Sequence, residues 1–131
     1  MRLLLDTPIA LWAIVDDPRL PEAAAALIRD ETNDIIVSAA SIWEIAIKHR
    51  LARGGAGDMP LSAAEARRYF EEAGYALLPI SADHAATLGG LPLIHGDPFD
   101  RMLIAQALHE PLRLLTCDTV LAHYGEMVLL C

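Results

Sequence analysis

The chain has 131 residues, 54% of them apolar, and its 18 acidic side chains against ten basic ones give a formal net charge of −8. Such a length suits one domain around a single core, and such an apolar content excludes intrinsic disorder. The charge argues against a broad basic surface for nucleic acid, but not against an enzyme that meets nucleic acid through a metal and a few arginines.

Leu3–Leu5 reads as a short buried strand, and Asp6 interrupts the apolar run too early for a signal peptide. With no apolar stretch near the length of a membrane span, a soluble cytoplasmic protein is expected. Pro8–Val15 follows as a helix, with Thr7 as its N-cap and Pro8 at the tolerated first position. Asp16-Asp17-Pro18 breaks it, and Pro21–Arg29 is an alanine-rich second helix. Ile35–Val37 is a β-branched strand of the kind buried on both faces. Ser41–Leu51 is predicted helical. Lys48, Arg50 and Arg53, the one local basic stretch, read as compensation of that helix's dipole and solvation, with contact to a substrate phosphate as the alternative.

Arg53–Pro60, with three glycines and a proline, reads as a long loop. Ser62–Ala73 is a helix opened by the capping-box pattern Ser62/Glu65 and closed by Gly74. Tyr75–Leu78 is a strand, Ala82–Leu88 a short helix and Gly89–Gly96 a loop. Pro98–His109 is helical, with Asp97 as N-cap. Arg113–Thr116 is a strand, Thr119–Tyr124 a helix and Met127–Leu130 a last strand. Alternating short strands and helices with few hairpin signals predict a parallel α/β sheet covered on both faces. No repeat or internal boundary divides residues 1–131.

Four acids interrupt this apolar background where strands end or helices begin: Asp6, Glu44, Asp100 and Asp118. Ligands in open parallel sheets sit beyond the carboxyl ends of the strands, and all four can converge there. Each also has a purely local explanation. Ser41 and Glu44 satisfy a capping box, Asp100 sits where a helix dipole favours an acid, and Asp118 can cap the helix that follows. Together they are harder to dismiss. Carboxylates about 4 Å apart repel by roughly 4 kcal/mol per pair at an effective dielectric near 20, so gathering them calls for a cation, a shared proton or a partner's arginine. Oxygen donors without a suitable His or Cys set point to Mg²⁺ or Mn²⁺ rather than Zn²⁺, and the chemistry best served is phosphodiester hydrolysis.

The remaining candidates are weaker. Cys117 and Cys131 have no metal-ligand or redox-motif spacing. His49, His84, His95, His109 and His123 show no paired-ligand spacing and read as surface or structural, with His95 singled out because its loop leads into Asp97. Trp12 and Trp43 read as core or interface.

Leu3-Leu4-Leu5-Asp6-Thr7, Val37-Ser38-Ala39-Ala40-Ser41-Ile42-Trp43-Glu44-Ile45, Asp97-Pro98-Phe99-Asp100-Arg101-Met102-Leu103-Ile104-Ala105-Gln106-Ala107 and Leu115-Thr116-Cys117-Asp118 resemble, in order and spacing, the four blocks of PIN-domain ribonucleases. They look most like the VapC toxins of bacterial type II toxin–antitoxin pairs. The resemblance implies a three-layer α/β/α fold with a five-stranded parallel sheet in the order 3-2-1-4-5. It implies a Mg²⁺-dependent endoribonuclease acting on RNA such as tRNA or rRNA, a homodimer, and a cognate antitoxin that joins it in a hetero-oligomer and blocks the site. The family's metal and catalytic roles fall on Asp6, Glu44, Asp100 and Asp118. Thr7 supports Asp6, and Asp97 either shares the metal or only caps its helix. Two positions depart from the family pattern, neither of them an acid: Pro8 stands where His is usual, and Gly96 where a basic residue is common.

Two other classes compete. A phosphoryl-accepting receiver module needs a lysine late in the chain, and Lys48, the only lysine, comes too early. A catalytically silent interaction module would use the same acids as a socket for a partner's arginine.

Overall fold

A computed structural model describes residues 1–52 and 59–131. Its five strands are β1 (Arg2–Leu5), β2 (Asp34–Ser38), β3 (Ala76–Leu78), β4 (Arg113–Thr116) and β5 (Val128–Leu130). All pair in parallel in the order β3-β2-β1-β4-β5, as expected. The helices among the described residues are α1 (Thr7–Ile14), α2 (Glu22–Arg29), α3 (Ala39–Ala52), α4 (Ala63–Glu72), α5 (Ala82–Thr87) and α6 (Pro98–His109).

Three layers follow from the strand period of two, which sends alternate side chains to opposite faces. Leu3, Leu5, Ile35, Val37 and Leu115 join Ile9 and Ala10 of α1, Ala24 of α2 and Phe70 of α4 on one face. Leu4, Ile36 and Leu114 join Leu103, Ile104 and Ala107 of α6 on the other. A sheet buried on both sides must be apolar at every strand position, which is why Leu3–Leu5 and Ile35–Val37 read as unbroken runs.

Several helix ends differ from expectation. Asp6, not Thr7, caps α1, its carboxylate accepting the Thr7 N–H at 2.9 Å. Helix α3 begins at Ala39, straight out of β2, so Ser41 lies inside it. The Ser38 hydroxyl takes the Ala40 N–H at 2.9 Å instead, and the Ser41/Glu44 capping box does not exist. The Ser62/Glu65 box does, and a second one pairs Ser81 with His84. Gly74, at φ +83°, adopts the left-handed conformation that follows a helix end. The expected helix Thr119–Tyr124 is only a short 3₁₀ turn at Leu121–Tyr124. Of the expected loop Arg53–Pro60, only Met59 and Pro60 fall within the described residues.

Cys117 and Cys131, unremarkable by spacing, are joined in a disulfide with Cα atoms 4.9 Å apart. They follow β4 and β5, which are neighbours in the sheet, so parallel register brings the two positions together. Among the described residues no helix is long and apolar enough to cross a membrane.

Candidate metal centre

In this strand order the chain leaves β1 towards β2 on one side and meets β4 on the other. A crevice opens at that reversal, beyond the carboxyl ends of β1 and β4. Asp6 stands at its floor, only 6% exposed. Its backbone N–H continues the ladder to Leu115 O at 3.0 Å, which fixes where the side chain starts. Oδ1 accepts the Thr7 N–H, and Oδ2 accepts the Thr116 hydroxyl at 2.6 Å. The hydroxyl that supports Asp6 is therefore Thr116. That of Thr7 donates to Ser41 Oγ at 2.8 Å.

Glu44 enters from the second turn of α3 and is buried. Lys48, one turn on, donates to its Oε2 at 2.6 Å, so this lysine serves the cleft rather than only the helix dipole. The hydrogen bond to Glu44 holds the lysine above its ordinary pKa. Glu44 Oε1 is buried with no hydrogen-bond partner among the described residues. An oxygen in that state costs about 1–3 kcal/mol or more in desolvation unless something unseen meets it.

Helix α6 supplies the next pair. Asp97 is its N-cap, Oδ1 accepting from Phe99 N at 2.8 Å and Asp100 N at 3.2 Å. That cap starts the turn on which Asp100 is carried. Asp118 follows β4, its backbone N–H donating to Thr116 Oγ1 at 3.0 Å and its Oδ1 accepting from Val120 N at 2.9 Å. His95, from the loop before α6, places Nε2 3.0 Å from Asp118 Oδ2 and 3.4 Å from Asp100 Oδ2.

Asp6, Glu44, Asp97, Asp100, Asp118 and Lys48 line one cleft of about 300 Å³. The sequence-predicted acids are thus brought to one place, together with His95, Lys48 and Thr116. Burial pushes the Asp100 carboxyl up to about 7, with Asp6 and Asp97 adding to the shift. Burial also raises Asp6, against the hydrogen bonds from Thr116 and Thr7, with Glu44 and Asp118 adding to the rise. Raised carboxylates in a cleft mark a place where negative charge is held at a cost that a cation would relieve. The orphaned Glu44 oxygen and an all-oxygen set of acids fit a hard divalent ion such as Mg²⁺ or Mn²⁺.

The family model described as PIN domain matches residues 3–127. Among solved structures the chain is similar to VapBC2 from Rickettsia felis bound to a DNA fragment from their promoter, with 18% identity and a TM-score of 0.66 over 99% of this chain and 97% of that one. It is also similar to FitAcB from Neisseria gonorrhoeae, with 18% identity and a TM-score of 0.56 over 93% and 91% of the two chains. At that identity the likeness is one of fold. No curated protein matches the sequence.

Proposed function

This chain belongs to the PIN domain family, and from that premise we propose that it is a Mg²⁺-dependent endoribonuclease, the toxin of a toxin–antitoxin pair. The observation that carries the reading is the convergence of five acids on one cleft, with Asp100 pushed up to about 7. Asp6, Glu44, Asp100 and Asp118 are the residues that would hold Mg²⁺, or Mn²⁺ in its place. Asp97 acts as the cap that presents Asp100. When bound, the ion neutralises charge on the attacked phosphodiester and makes the attacking water more acidic.

The protein's own groups do the rest. Thr116 and the Thr7 amide orient Asp6, so its carboxylate needs no reordering when a ligand arrives. Lys48 neutralises one Glu44 oxygen and leaves the other buried without a hydrogen-bond partner among the described residues. An acidic protein then meets RNA, tRNA or rRNA in this reading, through the ion rather than through a basic surface.

The VapBC2 assembly among the fold neighbours supports a cognate antitoxin as partner in a hetero-oligomer, and in this reading the antitoxin closes the cleft. A homodimer would use the outer face of α3. There Trp43 is 57% exposed and Leu51 75% exposed, with Ile47 between them at helical spacing. Trp43 meets the Phe99 ring edge-on at 4.9 Å, which extends the patch onto α6 and makes it a surface feature rather than core.

The test is incubation of purified, antitoxin-free protein with tRNA and rRNA stem-loops in Mg²⁺, beside Asp6→Asn. Cleavage by the wild type and a loss of about 100-fold or more in the variant are expected, since several kcal/mol of charge stabilisation is removed at 1.36 kcal/mol per tenfold. Folded wild-type protein that leaves every RNA intact sinks the proposal.

A further inference from the structure

His95 turns its two ring nitrogens to different partners at the mouth of the cleft. Nδ1 accepts the Asp97 N–H at 3.0 Å. A backbone amide only donates, so Nδ1 must present its lone pair and the neutral ring carries its hydrogen on Nε2. That is the nitrogen 3.0 Å from Asp118 Oδ2 and 3.4 Å from Asp100 Oδ2. The ring therefore gives its N–H to Asp118, lies within ion-pair distance of Asp100, and turns no lone pair towards either. His95, Asp100 and Asp118 have donor atoms within 4.8 Å of one another, the outline of a metal-binding trio. In this tautomer the histidine has nothing to offer a cation.

The ring is also fixed from behind. The His95 backbone N–H donates to Tyr124 Oη at 2.9 Å. Arg101 Nη1 donates to the same oxygen at 3.2 Å and to Pro92 O at 2.9 Å, which ties the loop to α6. Asp118 is in turn held on both oxygens, by the Val120 amide on Oδ1 and by His95 on Oδ2. Nothing else among the described hydrogen bonds links Asp118 to the loop that precedes Asp100.

We propose that His95 is a positioning residue, whose Nε2–H turns the Asp118 and Asp100 carboxylates towards a common point and so sets the cleft's affinity for a divalent cation without ligating it. The inference rests on the metal-site reading above. Groups that orient ligands in this way typically account for 10–100-fold in metal affinity.

The experiment is a titration of Mn²⁺ into the free protein, followed by electron paramagnetic resonance of the unbound ion, for wild type, His95→Leu and His95→Gln. Melting curves verify that each is folded. Leucine removes the donor, and a Kd roughly 10–100-fold weaker is expected. Glutamine places an amide N–H near the old Nε2 position, and its Kd should return to within about threefold of wild type. Pulsed resonance on Mn²⁺-loaded wild type should show no directly coordinated histidine nitrogen.

A folded His95→Leu variant with wild-type Kd overturns the inference, and so does a strong ¹⁴N coupling to the bound ion. Should the leucine variant not fold, the nitrogen coupling of the wild type decides alone. Failure of the wild type to bind Mn²⁺ at all overturns the metal-site reading and this inference with it, a result distinct from the other two.

Discussion

Helix α6 has a histidine-and-carboxylate cluster at each end, and the two are built alike. At its C-terminal end, His84 of α5 accepts the Ser81 N–H on Nδ1 at 3.0 Å and presents Nε2 to Glu110 Oε2 at 2.5 Å. His109 lies edge-on beside it, ring centroids 5.3 Å apart. At the N-terminal end, His95 accepts the Asp97 N–H and presents Nε2 to Asp118 and Asp100. Each trio has donor atoms close enough to suggest a metal ion. What separates them is the balance of charge. One N–H meets one carboxylate at His84, which is buried and satisfied. At His95 one N–H faces two carboxylates, Asp6, Glu44 and Asp97 line the same cleft, and Glu44 keeps an unmet oxygen. Proximity of ligand types therefore says little, and surplus anion with orphaned oxygen says much.

The strongest way to break this contrast is to remove charge at the crowded end. Asp100→Asn should cut RNA cleavage by about 100-fold or more, measured as initial rate in saturating Mg²⁺. It should also raise the melting temperature of the metal-free protein, because a buried, repelled carboxylate is gone. Mg²⁺ at about 100 times its Kd should add about 2.7 kcal/mol to the wild type, a rise of several degrees in Tm, and much less to the variant. An equal Mg²⁺ response in both would mean that Asp100 does not hold the ion.

The same site predicts a pH dependence of the metal-free protein. Asp100 ionises near 3.8 when unfolded and near 7 when folded, so between those values the folded state binds more protons. Stability from this group is complete below about pH 4, falls as pH rises, and is fully lost once pH passes about 7. Asp6, also raised, acts in the same direction. Half-buried Asp17 and exposed Asp30 and Glu65 are lowered and act in the opposite sense, so the informative quantity is wild type minus Asp100→Asn. That difference in Tm should grow more unfavourable to the wild type from pH 4 to 7 and shrink when Mg²⁺ is added. A difference flat with pH would show that the carboxyl is ordinary.

The contrast also shows what a sequence can disclose. The layers were legible because burial on both faces demands unbroken apolar strands, as at Leu3–Leu5 and Ile35–Val37. The acids were legible because an acid directly after a buried strand gains nothing from the core, although Asp6 also caps α1. Glu44 was ambiguous because Ser41 and Glu44 mimic a capping box; only the helix starting at Ala39 shows that Glu44 faces the cleft. Thr116 could not be paired with Asp6 from 110 residues away, since that bond depends on β1 lying beside β4. The disulfide depends in the same way on β4 lying beside β5. His95 carried one faint signal, its place two residues before a helix cap. Its tautomer is set by a backbone amide whose direction no residue pattern encodes.

The quiet end of α6 supplies the smallest and most discriminating prediction. Glu110→Gln keeps an acceptor for the His84 N–H but removes the charge. A charge-assisted bond is replaced by a weaker neutral one, while an anion leaves the C-cap of α6, where the helix dipole disfavours it. These effects oppose, so stability should change by less than about 1 kcal/mol, read from denaturant midpoints. Glu110→Leu leaves the buried N–H without its acceptor and should cost about 1–3 kcal/mol. Zn²⁺ should raise the melting temperature of neither wild type nor Glu110→Gln through this trio, because the Ser81 amide keeps the hydrogen on His84 Nε2. Zinc stabilisation lost on mutating His109 would mean that the capping bond yields to a metal, and the two ends of α6 would then differ less than their charge balance implies.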